Sequence, residues 1–114
     1  MPAKLFLVIV VTLVSFESSV GQQMKLMSFN IKYDNKQDTV NNWLDRRAQM
    51  VEMINYYAPD FLGIQEGKHH QVTYLDDGLS DYTFIGVGRD DGKTGGEYSC
   101  IFYNTRQFKV IQSS

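Results

Sequence analysis

The chain has a single cysteine, Cys100, so no disulfide can form within it. Its neighbours Ile101, Phe102 and Tyr103 are apolar or aromatic, and no basic side chain adjoins it to activate a thiolate. The expectation is a buried strand thiol and not a nucleophile. A basic excess is also missing: the formal net charge is −2. Stable nucleic-acid binding driven by charge is therefore not expected, and an anionic ligand has to be met locally, by a metal or a few basic side chains. Only one long apolar run occurs, Leu5 to Val14, ten residues, about half of the roughly 20 that span a bilayer. The histidines are two and adjacent, His69 and His70, in no metal-ligand spacing. They read as surface helix residues. No Gly-Lys-Ser/Thr follows the glycine-rich stretch, which excludes a Walker loop. There are no internal repeats and no linker.

Lys4 precedes that apolar run, and the small, polar Ser18-Ser19-Val20-Gly21 follows it. This is the layout of a secretory signal peptide cleaved near Gly21-Gln22. It predicts a secreted or periplasmic product, residues 22–114, with no membrane span after cleavage.

The rest has ordinary globular composition, 43% hydrophobic and 21% charged, enough for one small domain or part of a larger one. A first strand is predicted over Met24 to Tyr33, then a polar loop from Asp34 to Thr39. Asn41 or Asn42 caps the next helix. Leu44, Ala48, Val51 and Ile54 recur at helical spacing as its inward face, and Pro59 stops it. A strand from Asp60 to Gln65, a helix from Lys68 to Leu75 ended by Asp77-Gly78, and a strand over Tyr82–Ile85 follow. After a glycine-rich loop from Gly86 to Gly96, a closing hairpin is predicted: Glu97 to Tyr103, a turn at Asn104-Thr105-Arg106, and Phe108 to Gln112. Strands and helices alternating in this order predict an α/β (α+β) domain with a mixed sheet and a βαβ start.

Two polar residues end apolar strands: Asn30 closes Leu26-Met27-Ser28-Phe29, and Glu66 closes Phe61-Leu62-Gly63-Ile64-Gln65. Strands joined by a helical crossover are usually parallel neighbours, which puts both ends at one edge of the sheet, where open α/β sheets bind ligands. A carboxylate and an amide there suit a hard cation such as Mg²⁺. The glycine loop offers Arg89 and Lys93 as phosphate partners, and Glu97 is a candidate to face the same site. Trp43 and Arg47 are candidates to brace the first helix near the Asn30 loop, and Arg47 is a candidate to touch the site network.

Four blocks together resemble the endonuclease/exonuclease/phosphatase superfamily of metal-dependent phosphoesterases, particularly a secreted bacterial subgroup. They are Met27-Ser28-Phe29-Asn30-Ile31-Lys32-Tyr33; Trp43 with Arg47; Pro59-Asp60-Phe61-Leu62-Gly63-Ile64-Gln65-Glu66; and Gly86-Val87-Gly88-Arg89-Asp90-Asp91-Gly92 with Gly96-Glu97-Tyr98-Ser99 and Ile101-Phe102-Tyr103. The resemblance implies a four-layer α/β sandwich, of which this chain is a part. It implies that Glu66 binds Mg²⁺ or Mn²⁺ directly and that Asn30 orients the metal's water or contacts the phosphate. Arg89 and Glu97 are then expected on the substrate side, facing a phosphorylated substrate of unspecified class. The family's later Asp-x-Asn and Asp-His motifs do not occur in this sequence. The expectation is the N-terminal part of a member, inactive by itself. The alternatives are an exported non-catalytic fragment or a module that binds a phosphorylated ligand.

Overall fold

The computed structural model describes residues 21–114. The apolar run and its flanks, on which the signal-peptide expectation rests, lie outside the described residues. Six elements follow one another: β1 (Leu26–Asn30), α1 (Trp43–Tyr57), β2 (Phe61–Gly67), α2 (His69–Gly78), β3 (Tyr82–Ile85) and β4 (Tyr98–Asn104). No helix among the described residues is long and apolar enough to cross a membrane.

The strands form one mixed sheet in the order β1-β2-β4-β3. β1 and β2 are parallel, with Leu26 opposite Phe61 and Asn30 opposite Gln65. β4 lies between β2 and β3 and is antiparallel to both. β1, β2 and β3 therefore all end at the same edge of the sheet.

The closing hairpin falls one element earlier than predicted. β3 and β4 are its arms, joined across the glycine loop, and no strand forms over residues 108–112. The reason is packing. Phe108 turns back to lie on Phe61, ring centroids 4.6 Å apart, and covers part of the sheet's face instead of extending its edge.

Helix α1 starts where Asn42, extended at φ −67° and ψ 172°, accepts a hydrogen bond from the Asp45 amide at 3.0 Å. It ends on Ala58 in the left-handed region, φ 44°, just before Pro59. Its buried stripe is Trp43, Met50 and Ile54. Leu44, predicted to face inward, is 66% exposed, and Ala48 is exposed too. The indole of Trp43 fills the inward position one residue earlier, and a face cannot hold both at that height.

On the helix-covered side, Leu62 and Ile64 of β2 and Cys100 and Phe102 of β4 join Ile54, Val72 and Leu75 in one core. The thiol of Cys100 is buried there as expected, and desolvation pushes it up to about 12. The register puts Leu26, Gly63, Ile101 and Ile85 on the other side. That face is open: Leu26 is 69% exposed and Ile101 52%. The arrangement is a mixed sheet with helices on one face, part of an α/β sandwich.

Candidate functional site

Asn30 and Glu66 meet at the common strand edge. The Asn30 side-chain amide donates to Glu66 Oε1 at 3.0 Å. The Tyr33 backbone amide approaches Glu66 Oε2 at 3.4 Å. Asn30 Oδ1 accepts from the Lys32 amide at 2.9 Å, which turns the chain off β1 with Lys32 at φ 57°. Glu66 is half-buried and Asn30 exposed, so the pair faces outward from the edge.

What aims Glu66 is a β-bulge. Between the Ile64–Cys100 and Gly67–Tyr98 pairs, Gln65 and Glu66 together stand opposite Ser99 alone. Glu66 adopts φ 64°, the left-handed region that a non-glycine residue enters only at a cost. Gly67 then swings back to the helix side, where a Cβ would lie 3.0 Å from Val72 Cγ2 and 3.2 Å from Ile31 Cδ1. A side chain at 67 would force these groups apart, so the bulge and the glycine work as a unit.

Two further residues hold the loop beside Asn30. Gln71 is fully buried, and every polar atom of its amide is used. Its Oε1 accepts from the amides of Asp34 at 2.9 Å and Lys68 at 3.0 Å, and its Nε2 donates to the Lys32 carbonyl at 3.0 Å. It ties the chain after β1 to the start of α2. Arg46 does the same from α1, donating to the carbonyls of Ile31 at 2.9 Å and Asn41 at 2.8 Å. It is Arg46, not singled out from the sequence, that reaches the loop backbone. The Arg47 guanidinium instead lies over the Tyr74 ring, 4.6 Å from its centroid. Gln71 has a sequence signal, a polar residue next to Val72 and four before Leu75 on the inward stripe. Arg46 has none.

The glycine loop rises from the same edge. Arg89 and Glu97, both predicted at the site, stand together, with Nη1 to Oε2 at 3.5 Å. Among the described residues Arg89 pairs with Glu97 and Asp90, not with Glu66. The loop's own amides are committed internally: Gly88 to the Lys93 carbonyl, Arg89 to Glu97, Asp90 to Gly95 and Gly92 to Gly88. Asp91 Oδ1 accepts from the amides of Lys93 at 2.8 Å and Gly95 at 2.9 Å. These bonds hold its carboxyl below the ordinary value. The backbone therefore offers no nest of unused N–H groups at these positions, and a phosphate here would be met by side chains.

His69 Nδ1 lies 2.8 Å from the Tyr98 hydroxyl. That hydroxyl donates to the Lys93 carbonyl at 3.0 Å, so the imidazole must be the donor at Nδ1. His70 Nε2 pairs with Asp34 Oδ2 at 2.8 Å. Both are exposed helix residues, as predicted.

Comparison with solved structures now decides the family. The chain is 44% identical to an endonuclease/exonuclease/phosphatase from Bacteroides vulgatus, over 80% of this chain and 35% of that one, with a TM-score of 0.78. It is 35% identical to an endonuclease/exonuclease/phosphatase family protein from Bacteroides thetaiotaomicron, over 80% of this chain and 34% of that one, TM-score 0.76. The stretch belongs to the endonuclease/exonuclease/phosphatase family. A mannosyl-6-phosphatase from Bacteroides thetaiotaomicron is also similar, 35% identical over 81% of this chain and 35% of that one, TM-score 0.77. The chain spans about a third of the length of each of these structures. No family model matches it, and no curated protein does.

Proposed function

We infer that residues 22–114 carry the first part of the metal site of a phosphoester hydrolase. The observation that carries this reading is the Asn30–Glu66 contact of 3.0 Å on a bulged strand end. The donor set fits Mg²⁺ or Mn²⁺: hard oxygens only, with one carboxylate whose Oε2 has just the long 3.4 Å contact to Tyr33. Glu66 would hold the ion and Asn30 would fix the carboxylate's orientation. When bound, the ion neutralises the phosphate and the developing charge on the leaving oxygen. Arg89, 71% exposed at its side chain, turns from Glu97 to the phosphate, and Glu97 keeps the guanidinium at the edge until then.

Among the described residues no group of three or more His, Cys, Asp or Glu side chains could hold a metal. The site is thus one carboxylate ligand oriented by one amide, a set for weak binding only, with no general base placed beside it. The similarity to mannosyl-6-phosphatase makes a sugar phosphate monoester the first substrate to test. The reading as a loop that cradles phosphate with its backbone is disfavoured by the internal amide bonds of residues 88–95. The apolar run at Leu5–Val14 supports export to the periplasm or medium.

The test is binding of mannose 6-phosphate with and without Mn²⁺. Mn²⁺ should tighten binding, Glu66→Gln should remove the enhancement, and these residues alone should hydrolyse the ester at no detectable rate. Equal binding with and without Mn²⁺, or robust Mn²⁺-dependent turnover, whether or not it survives Glu66→Gln, contradicts the reading.

A further inference from the structure

A concavity lies between the 34–38 loop, the start of α1 and α2, with Asp34 following the Tyr33 that contacts Glu66. Its volume is about 380 Å³, within the range of small-molecule sites. None of its wall residues is hydrogen-bonded to the Asn30 or Glu66 side chain. Trp43 forms the floor, nearly fully buried, with Tyr74 packed edge-on against it at 5.8 Å. Leu44 stands at the rim, 66% exposed, where helical periodicity alone would have placed a core residue.

The wall carries two carboxylates and two permanent cations, which differ in how they are partnered. Each acid has its own partner: Asp34 accepts from His70 at 2.8 Å, and Asp38 pairs with Lys32 at 2.9 Å. The cations do not. Neither Lys36 nor Arg47 forms an ion pair among the described residues. Arg47 lies over the Tyr74 ring, its Cζ 4.6 Å from the centroid. Stacking uses the face of a guanidinium and leaves its N–H edge for a planar or tetrahedral oxyanion. A guanidinium seated on Tyr74 thus adjoins the apolar side chains of Leu44 and Trp43.

We propose that this cavity binds a small organic anion, a carboxylate or phosphoryl head on Arg47 with an apolar ring against Leu44 and Tyr74. Lys36 adds a second positive charge at the mouth. The carboxylates on the walls are already engaged, so the cavity is not built for a cation.

Trp43 is the only tryptophan in the chain, so its fluorescence reads this cavity alone. The probes are cyclohexanecarboxylate and cyclohexylphosphonate, with neutral cyclohexylmethanol and ring-free acetate as controls. At least one ringed anion should change the emission of the full chain saturably, and which one does so names the head group. Both controls should bind about tenfold or more weaker, as expected for loss of charge-assisted hydrogen bonds or of apolar contact. Arg47→Met should weaken the anion about tenfold or more, and Arg47→Lys, which keeps the charge and loses the fork, should weaken it by less. Should the Met variant not fold, the Lys variant still has to weaken binding. Glu66→Gln should leave it unchanged. No saturable change with either anion, equal binding of the neutral alcohol, or undiminished binding in the Arg47→Lys variant would overturn the proposal.

Discussion

Glu66 stores strain for the sake of its position. At φ 64° it occupies a region that disfavours a side chain by roughly 1–2 kcal/mol. Glycine would relieve that strain but add about 0.4–1 kcal/mol of unfolded-chain entropy. Its hydrogen bond from Asn30 is solvent-exposed and contributes little. Glu66→Gly should therefore raise stability by roughly 0.5–1 kcal/mol while removing the carboxylate, whereas Glu66→Ala should give no such gain. Urea midpoints of the three proteins check this, and a destabilised glycine variant would contradict it. The meeting of Asn30 and Glu66 was legible in the sequence because each ends an apolar run. The bulge was not, because it is created by pairing with β4, which lies more than thirty residues downstream. Gln71 escaped notice for a similar reason: two of its three partners, Lys32 and Asp34, lie more than thirty residues before it.

At the scale of elements, α1 closes on an alanine where glycine is the usual residue. Ala58 sits at φ 44° and hydrogen-bonds back to the Ile54 carbonyl. Ala58→Gly should stabilise the chain by roughly 0.5–1 kcal/mol by the same arithmetic, read as a higher thermal midpoint. A lower midpoint would mean that the methyl group is packed and not strained. The glycine loop carries the clearest pH dependence. Amides of Gly95 and Lys93 hold Asp91 below its ordinary value of 3.8. A carboxyl lowered in the folded state contributes stability above its unfolded value, and that contribution is lost as pH falls through the folded one. The amides of Lys93 and Gly95 should thus become exchange-labile as the solution is acidified below about pH 4, before the rest of the sheet opens. Unchanged protection there would contradict the account. The cap at Asn42 and the stop at Pro59 could be read directly, since both are local chemistry. On α1, Ile54 and Val51 meet the core as expected, but Leu44 gives way to Trp43, because spacing alone does not weigh a tryptophan against a leucine.

Across the whole molecule, one face of the sheet is covered and the other is not. Leu26, Ile85 and Ile101 lie on the open side, and Ile101 stands on the inner strand β4 at its centre. A contiguous apolar face in water drives association. The isolated stretch should self-associate, and Ile101→Lys should shift it toward monomer in sedimentation velocity without lowering its helix content. A monomeric parent protein would contradict this. The α/β class and the order of elements up to β4 were legible because each strand and helix has its own periodicity, whereas the expected strand over Phe108–Gln112 does not form. The place of β4 between β2 and β3 was not, since strand order depends on long-range pairing. The central claim is that Glu66, aimed by the bulge and held by Asn30, is a metal ligand. Mn²⁺ titration followed by paramagnetic broadening in the NMR spectrum tests it most directly. The account predicts that signals of Asn30, Tyr33 and Glu66 broaden first and that Glu66→Gln abolishes the effect. Broadening centred elsewhere, or unchanged in the Glu66→Gln variant, would contradict it.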